Sequence, residues 1–186
     1  CMMDAKDADH VVDYINEGIL QELREAYGQI IPDAVRTAYG AMSYIKAATG
    51  NKFVVIIDEW DVLIRDEAQN HTLQEAYIDF LRGMFKGTEP SRYIALAYLT
   101  GILPIKKLKT QSALNNFEEF TMLDAGRMAP YVGFTEEEVH GLCEQYGCSY
   151  EQVKSWYDGY LLEDYQVYNP KAVVSVMLNG KYKSYW

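Results

Sequence analysis

Hydrophobic positions along the chain follow helical spacing at both ends and form continuous runs in the middle. From Val12 to Leu23, apolar residues recur every three or four positions, as they do on one face of a helix. A second pattern of this kind opens at Pro32-Asp33 and stops at Gly50, a residue that often follows a helix end. The first fifty residues are therefore predicted to form two helices.

The pattern changes after the second predicted helix, where two continuous apolar runs appear. Phe53–Ile57 and Tyr93–Leu99 are typical of strands covered on both faces of a parallel sheet. Between them, the capping-box sequence Thr72-Leu73-Gln74-Glu75 predicts the start of a helix that ends at Gly87. Strand, helix and strand in this order predict a βαβ unit, and with it the α/β fold class.

The rest of the chain is predicted to contain one weaker strand and then helices. Phe117–Leu123 is the candidate strand, although two glutamates interrupt it. A capping box at Thr135 predicts the next helix, and two more are predicted to start at Ser149 and at Asn169-Pro170. A break after residue 123 predicts two domains, an α/β core over residues 1–123 and a helical lid over residues 124–186.

Composition and charge exclude several classes of function. The formal net charge of −10 argues against unaided binding of nucleic acid or of an anionic membrane surface. The basic cluster of Lys106, Lys107 and Lys109 is interpreted as a solvated loop. Cysteines and histidines are too few and too scattered for a disulfide scaffold or a zinc site. No membrane-length apolar run or signal-peptide core is present, so the chain is predicted to be cytoplasmic.

The acidic group Asp58-Glu59-Trp60-Asp61 directly follows the first predicted strand. In open α/β sheets, ligands bind outside the carboxyl ends of the strands. A carboxylate fixed there can hold Mg²⁺ against the phosphates of a nucleotide, and the next carboxylate can polarise a water for attack. Four apolar residues followed by Asp-Glu form the Walker B pattern. A strand exit with solvated acids gives the same pattern, so both interpretations stay open.

The second predicted strand ends in Thr100-Gly101, one βα crossover after the acidic group. In ATPases of the Walker B class, the neighbouring strand ends in a polar side chain that senses the γ-phosphate or orients the attacking water. A threonine at a strand end is also common because this residue favours strands and turns. Its position one crossover after Asp58 and Glu59 favours the sensor role.

Several segments, taken in order, resemble the predicted AAA-ATPase-like family of bacteria, whose members often carry a C-terminal PD-(D/E)XK-type nuclease domain. The resemblance covers roughly residues 20 to 186, and the ordered set is more specific than any single piece. Trp60 stands where tyrosine is usual in the family. The matching segments are the Walker B segment Val54–Asp61, the sensor strand Tyr98–Gly101, the asparagine loop Ser112–Asn116, the start of the lid helix Gly133–Val139, and the later signatures Trp156–Tyr160, Val167–Pro170 and Tyr185-Trp186.

The resemblance implies a partial P-loop NTPase fold of the AAA-like class and an ATPase that uses ATP and Mg²⁺ in the intact parent protein. In that protein Asp58 would hold Mg²⁺. Asp61 would also belong to the metal site, behind the residues that touch the ion. Glu59 would activate water, and Thr100 would sense phosphate. Asn116 would place its amide near the phosphates or against the lid, although an asparagine in a turn is an equally good interpretation.

The family's phosphate-binding loop does not match any part of the 186 residues, since no Gly-x-x-x-x-Gly-Lys-Ser/Thr occurs. The chain is therefore interpreted as a fragment that begins after this loop, or as a degenerate relative, and no nuclease part is recognised. Without the loop, the chain alone is predicted to hydrolyse ATP negligibly. Missing strands would also leave an exposed sheet edge, which predicts a homodimer.

Two functions from other classes remain as alternatives to an ATPase. The first is a non-catalytic protein-interaction module that keeps the ATPase shape. The second is a metal-dependent nuclease that uses Asp58 and Glu59. The acidic charge and the lack of a companion lysine at nuclease spacing disfavour the nuclease.

Overall fold

The structure, a computed structural model, describes residues 10–105, 114–157 and 159–184. The chain divides into two compact units, residues 1–117 and residues 118–186. Both units mix helices with strands, so the α/β class predicted from the sequence is confirmed. The basic cluster at residues 106–109, part of the asparagine loop, Asp158 and the terminal Tyr185-Trp186 lie outside the described residues.

The first unit is a βαβ unit with two preceding helices. Its strands pair in parallel, and α4 is the long helix between them, as the sequence predicts. Glycines end α1 and α2, at Gly28 and Gly50. The elements are α1 (Val11–Tyr27), α2 (Ala38–Thr49), β1 (Phe53–Ile57), α3 (Val62–Asp66), α4 (His71–Phe85), α5 (Pro90–Tyr93) and β2 (Ile94–Leu99).

One face of the β1–β2 sheet lies against the core of this unit. Val55 and Ile57 of β1, with Ala97 and Leu99 of β2, pack against buried residues that come largely from α4. The amphipathic pattern of α4 explains this contact, since its buried side chains recur at helical spacing along one face. These buried positions are Leu73, Tyr77, Ile78, Leu81, Met84 and Phe85.

The opposite face of the same sheet is exposed, which corrects the prediction of strands covered on both faces. Val54 lies opposite Leu96 and Ile56 lies opposite Tyr98 in the parallel register. Their exposed fractions are 58%, 57%, 69% and 41%, in that order. The continuous apolar run is real, but among the described residues only one face of the strands meets a core. The name exposed sheet face is used below for these four residues.

Two helix starts in the first unit differ from the prediction because a nearer polar side chain caps the helix. α2 begins at Ala38, not at Pro32-Asp33, since the Thr37 hydroxyl accepts a hydrogen bond from Gly40 N at 3.2 Å. α4 begins at His71 because Asn70 accepts from Leu73 N at 3.1 Å, so the predicted box at Thr72 does not form the cap.

The start of β2 also shifts. Proline is well suited to the first turn of a helix, and Pro90–Tyr93 forms the short helix α5. The strand therefore begins one residue later than predicted, at Ile94.

The second unit combines three α-helices with a small antiparallel sheet, whereas the sequence predicts only helices in the lid over residues 124–186. The strand order is β3-β5-β4, and β4 and β5 form a hairpin. The missed strands are short and rich in tyrosine, which hid their alternation. The elements are a 3₁₀ helix (Gly126–Tyr131), β3 (Phe134–Thr135), α6 (Glu136–Tyr146), α7 (Tyr150–Tyr157), β4 (Tyr160–Leu162), β5 (Tyr165–Tyr168) and α8 (Pro170–Asn179).

The predicted third strand at Phe117–Leu123 is also wrong, because this segment forms a turn with one isolated bridge between Thr121 and Asp124. The Thr121 hydroxyl accepts hydrogen bonds from the backbone N–H groups of Leu123 and Asp124, at 3.2 and 3.1 Å. A side chain that bonds the backbone in this way stabilises a turn against an extended strand.

The helix starts predicted in the second unit are confirmed. Thr135 and Glu138 form a complete capping box at α6, and Asn169 caps α8 with Pro170 as its first residue. The predicted start at Ser149 lies one residue before α7.

None of the helices that the structure describes is long and apolar enough to cross a membrane. The cytoplasmic location stays a prediction.

Candidate functional site

The carboxyl ends of β1 and β2 bring Asp58 and Thr100 into direct contact. Asp58 is the first residue after β1, and Thr100 is the first residue after β2. The Thr100 hydroxyl donates a hydrogen bond to Asp58 Oδ1. Because the strands are parallel and adjacent, residues 42 positions apart share one edge of the sheet. The two residues predicted for the metal and for the phosphate sensor are therefore neighbours.

Glu59 lies beside this pair with an unusual backbone conformation. Its φ of 50° is in the left-handed region that non-glycine residues rarely adopt. Its N–H points at both members of the pair, 3.1 Å from Asp58 Oδ1 and 3.3 Å from Thr100 Oγ1. The side chains of Asp58 and Glu59 are exposed. The predicted water-activating residue is thus joined to the Asp58–Thr100 pair by its backbone N–H, and its side chain is open to solvent.

Backbone hydrogen bonds join the turn after β1 to the end of β2. Thr100 N donates to Ile57 O at 2.9 Å, and Trp60 N donates to Thr100 O at 2.9 Å. The Tyr77 hydroxyl of α4 donates a further hydrogen bond to this turn, to Trp60 O at 2.8 Å. Burial, with the nearby charge of Asp61, raises the pKa of Tyr77 to about 12, so this hydroxyl stays protonated.

Asp61 is fully buried, at 0% exposure, unlike the two acids before it. Its Oδ2 accepts from Ile102 N at 3.0 Å, from Leu103 N at 2.8 Å and from Arg65 Nε at 3.1 Å. Burial raises the pKa of this carboxyl, but the hydrogen bonds from Leu103 and Ile102 and the Arg65 charge outweigh it. The pKa of Asp61 therefore lies below its usual value.

The side-chain hydrogen bond of Asn116 goes to the end of α4 and not to the carboxylates. Its side-chain amide donates to Phe85 O, the last residue of α4, at 3.0 Å. Tyr77, which contacts the turn beneath Asp58, lies eight residues earlier on the same helix. At 1.5 Å per residue this is about 12 Å along the helix axis. The nucleotide contact assigned to Asn116 stays a prediction. The hydrogen bond that its side chain makes in the structure is to the last residue of α4.

The residues at the strand ends suit a metal that depends on a nucleotide for most of its ligands. Mg²⁺ in such sites takes one or two protein oxygens and fills the remaining positions with waters and phosphate oxygens. Asp58 supplies an exposed carboxylate, and the Thr100 hydroxyl lies beside it. Within residues 10–105, 114–157 and 159–184, no group of three or more His, Cys, Asp or Glu side chains forms a self-sufficient metal cage.

Sequence reasoning missed three residues that shape this edge: Arg65, Tyr77 and Gly101. Arg65 follows Asp61 by four residues, the spacing of neighbours on a helix, so its pairing was detectable. Tyr77 looked like one more apolar position of α4, and its hydrogen bond depends on tertiary packing. Gly101 directly follows Thr100, and its tight surroundings become visible only in three dimensions.

A family model described as "Predicted AAA-ATPase" matches residues 3–110, more than half of the chain. This chain belongs to that family. The resemblance drawn from ordered segments is thus confirmed at the level of the family. The matched part of the chain contains Asp58, Glu59, Asp61 and Thr100, but not Asn116.

A protein of Azotobacter chroococcum mcd 1, described as an uncharacterized protein in the vnfD 5′ region, is similar to this chain. The two are 26% identical over 169 residues, which cover 89% of this chain and 30% of that protein. The chain therefore spans less than a third of this curated relative's length. No solved structure matches the chain.

Proposed function

We propose that this chain provides the metal-binding and water-activating part of an ATPase site with a P-loop NTPase fold. The observation that carries the proposal is the contact between Asp58 and Thr100 at adjacent parallel strand ends, with the Glu59 carboxylate exposed beside them. Membership of a family described as predicted AAA-ATPases supports the same conclusion.

Each residue has a distinct part in this function. When bound, Mg²⁺ would neutralise charge on the β- and γ-phosphates of ATP. Asp58 holds the ion, directly or through water. Glu59 accepts a proton from the attacking water and orients it for in-line attack. Thr100 keeps the Asp58 carboxylate in place through its hydroxyl.

No segment of the 186 residues matches the phosphate-loop motif Gly-x-x-x-x-Gly-Lys-Ser/Thr, and we infer that this limits what the chain can do alone. Backbone N–H groups and a lysine of such a loop hold the phosphates in P-loop enzymes. We therefore expect negligible ATP turnover by the chain alone. In the longest natural polypeptide that contains it, we expect turnover that falls at least 100-fold in Glu59→Gln and in Asp58→Asn.

A phosphate-release assay on both proteins tests this function. Asp66→Asn is the matched control, because Asp66 is an exposed carboxylate on α3 of the same unit and lies outside the proposed site. Turnover by the natural polypeptide that is unchanged in Glu59→Gln would contradict the role of Glu59. Turnover by the chain alone that is lost in Glu59→Gln would contradict the need for a separate phosphate loop.

A second function, a non-catalytic protein-binding module, is favoured by one observation. The exposed sheet face presents four apolar side chains on a single surface of β1 and β2. Contiguous exposed apolar surface commonly marks an interaction site. Calorimetric titration of the longest natural polypeptide with a non-hydrolysable Mg-ATP analogue separates the two functions. Binding that Asp58→Asn weakens supports the ATPase, and the lack of any binding supports the module.

A further inference from the structure

Asp61 links two segments of the site edge that are far apart in sequence. It belongs to the turn after β1, and two of its three hydrogen-bond donors, Ile102 N and Leu103 N, belong to the loop after β2. The third donor, Arg65, comes from α3 and is one helical turn away. Charge-assisted hydrogen bonds to a buried carboxylate are among the strongest polar contacts in a protein.

Gly101 shows how closely the same segments pack. A Cβ atom at this position would lie 2.7 Å from Asp61 Oδ1 and 2.7 Å from Trp60 Nε1. Both distances are far below van der Waals contact, so a side chain here would push the loop away from the turn. Asp61 Oδ1 is buried and has no hydrogen-bond partner among the described residues. No hydrogen bond therefore holds this oxygen away from Gly101.

Thr100 precedes this clamped loop directly, and its hydroxyl meets Asp58. The loop from Gly101 to Leu103 is held by Asp61, while Thr100 itself is held by backbone bonds to Ile57 and Trp60. Because Gly101 follows Thr100 directly, a shift of the loop is expected to pull on Thr100 against these two bonds and to move its hydroxyl relative to Asp58. The hydrogen bonds of Asp61 are to Arg65, Ile102 and Leu103, so any effect of Asp61 on the Asp58–Thr100 pair passes through the backbone.

We infer that Asp61 is a positioning residue, which clamps the loop after β2 to the turn after β1 and so sets the Thr100 hydroxyl against Asp58. Oδ2 already has three donors and both carboxylate oxygens are shielded from solvent, so Asp61 is expected to act on the site without binding the metal. This inference deepens the proposed function and rests on it for its catalytic consequence. The structural part, the dependence of Thr100 on Asp61, is independent of any metal or nucleotide.

The test reads the Thr100 methyl resonance in chain labelled with ¹³C at threonine methyl groups, assigned through Thr100→Ser. In the parent chain, Asp58→Asn removes the charged acceptor of the Thr100 hydroxyl and shifts this resonance. We expect Asp61→Asn to move the Thr100 resonance and to reduce its response to Asp58→Asn by at least half. Asp66→Asn, on the same helix as Arg65, is expected to change neither value.

Gly101→Ala is the second variant, and it keeps every polar group of the site. It tests the inference if Asp61→Asn does not fold. It is expected to displace Thr100 in the same way, because the new methyl group strikes Asp61 and Trp60. A folded Asp61→Asn, or a folded Gly101→Ala, with the parent's Thr100 resonance and the parent's response to Asp58→Asn would overturn the inference.

A second measurement, with a metal ion, tests whether Asp61 positions Thr100 or binds the metal. Mn²⁺ affinity, measured by paramagnetic broadening, is expected to fall less than tenfold in Asp61→Asn and more than tenfold in Asp58→Asn. Equal losses in the two variants would overturn the statement that Asp61 does not bind the metal. No Mn²⁺ broadening in the parent chain would count against the proposed function alone, because the methyl arm contains no metal.

Discussion

Glu59 combines backbone strain with a proposed catalytic part. A non-glycine residue in the left-handed region costs about 1–2 kcal/mol, yet Glu59 adopts a φ of 50° between Asp58 and Trp60. Surrounding bonds hold the turn, above all the 2.9 Å contact from Trp60 N to Thr100 O. Strained residues persist where the structure fixes them, and they cluster at functional sites. The strain at Glu59 therefore agrees with the proposed function of this turn.

Glu59→Asn is expected to raise the free energy of unfolding by about 0.5–1 kcal/mol, because asparagine tolerates left-handed backbone better than glutamate. Glu59→Gln is the control, since it removes the charge but retains the backbone preference of glutamate, and it is expected to leave stability within about 0.5 kcal/mol. Chemical denaturation measures both values. Equal stability of the two variants would show that the backbone at Glu59 stores no strain.

At the scale of elements, a helix cap was predictable where both of its partners are close in sequence. It was not predictable where two polar side chains compete for the same helix start. Thr135 and Glu138 form their box as predicted, because each partner lies three residues from the other. Thr72 and Glu75 have an equally good capping-box pattern, but Asn70 lies two residues earlier and forms the N-cap of α4 instead. Similarly, Thr121 turns a predicted strand into a bend through two backbone bonds. Sequence shows the candidates, whereas competition among them is decided by packing.

Thr135→Ala is expected to lower the free energy of unfolding of the second unit by about 1 kcal/mol, the usual cost of losing an N-cap hydroxyl. Thr135→Ser retains a hydroxyl that can accept from Glu138 N and is expected to keep most of that stability. Thermal unfolding followed by circular dichroism compares the three proteins. The assignment of this cap would be wrong if the alanine and serine variants lost stability equally.

At the scale of the whole molecule, the parallel βαβ unit and the site edge could be predicted, but the covering of the sheet could not. Apolar runs and the acidic strand end place Asp58 and Thr100 correctly because their positions follow from topology alone. Whether both sheet faces are covered depends on what packs against them, and Val54 and Ile56 remain exposed here. The same limit hid the roles of Tyr77 and Gly101, which exist only through tertiary contacts.

We expect the chain to self-associate through β1 and β2. The described sheet has two strands, each with an open edge, and its exposed face is apolar. Replacing Ile56 and Leu96 together by threonine, which suits strands but buries less apolar area, is expected to weaken association about tenfold. Tyr44→Gln, an exposed site on α2, is the control. Light scattering that shows a monomer at all concentrations would contradict this expectation.

The central claim is that Asp58 and its neighbours form a metal site at the strand ends, and paramagnetic broadening by Mn²⁺ tests it most directly. As Mn²⁺ is added to the chain, the amide resonances of Asp58 and Glu59 and the methyl resonance of Thr100 are expected to broaden first. In Asp58→Asn, broadening at Glu59 and Thr100 should require at least ten times more Mn²⁺, while Asp66→Asn should behave as the parent chain. Equal broadening in the parent chain and in Asp58→Asn, or broadening that begins elsewhere, would contradict the account.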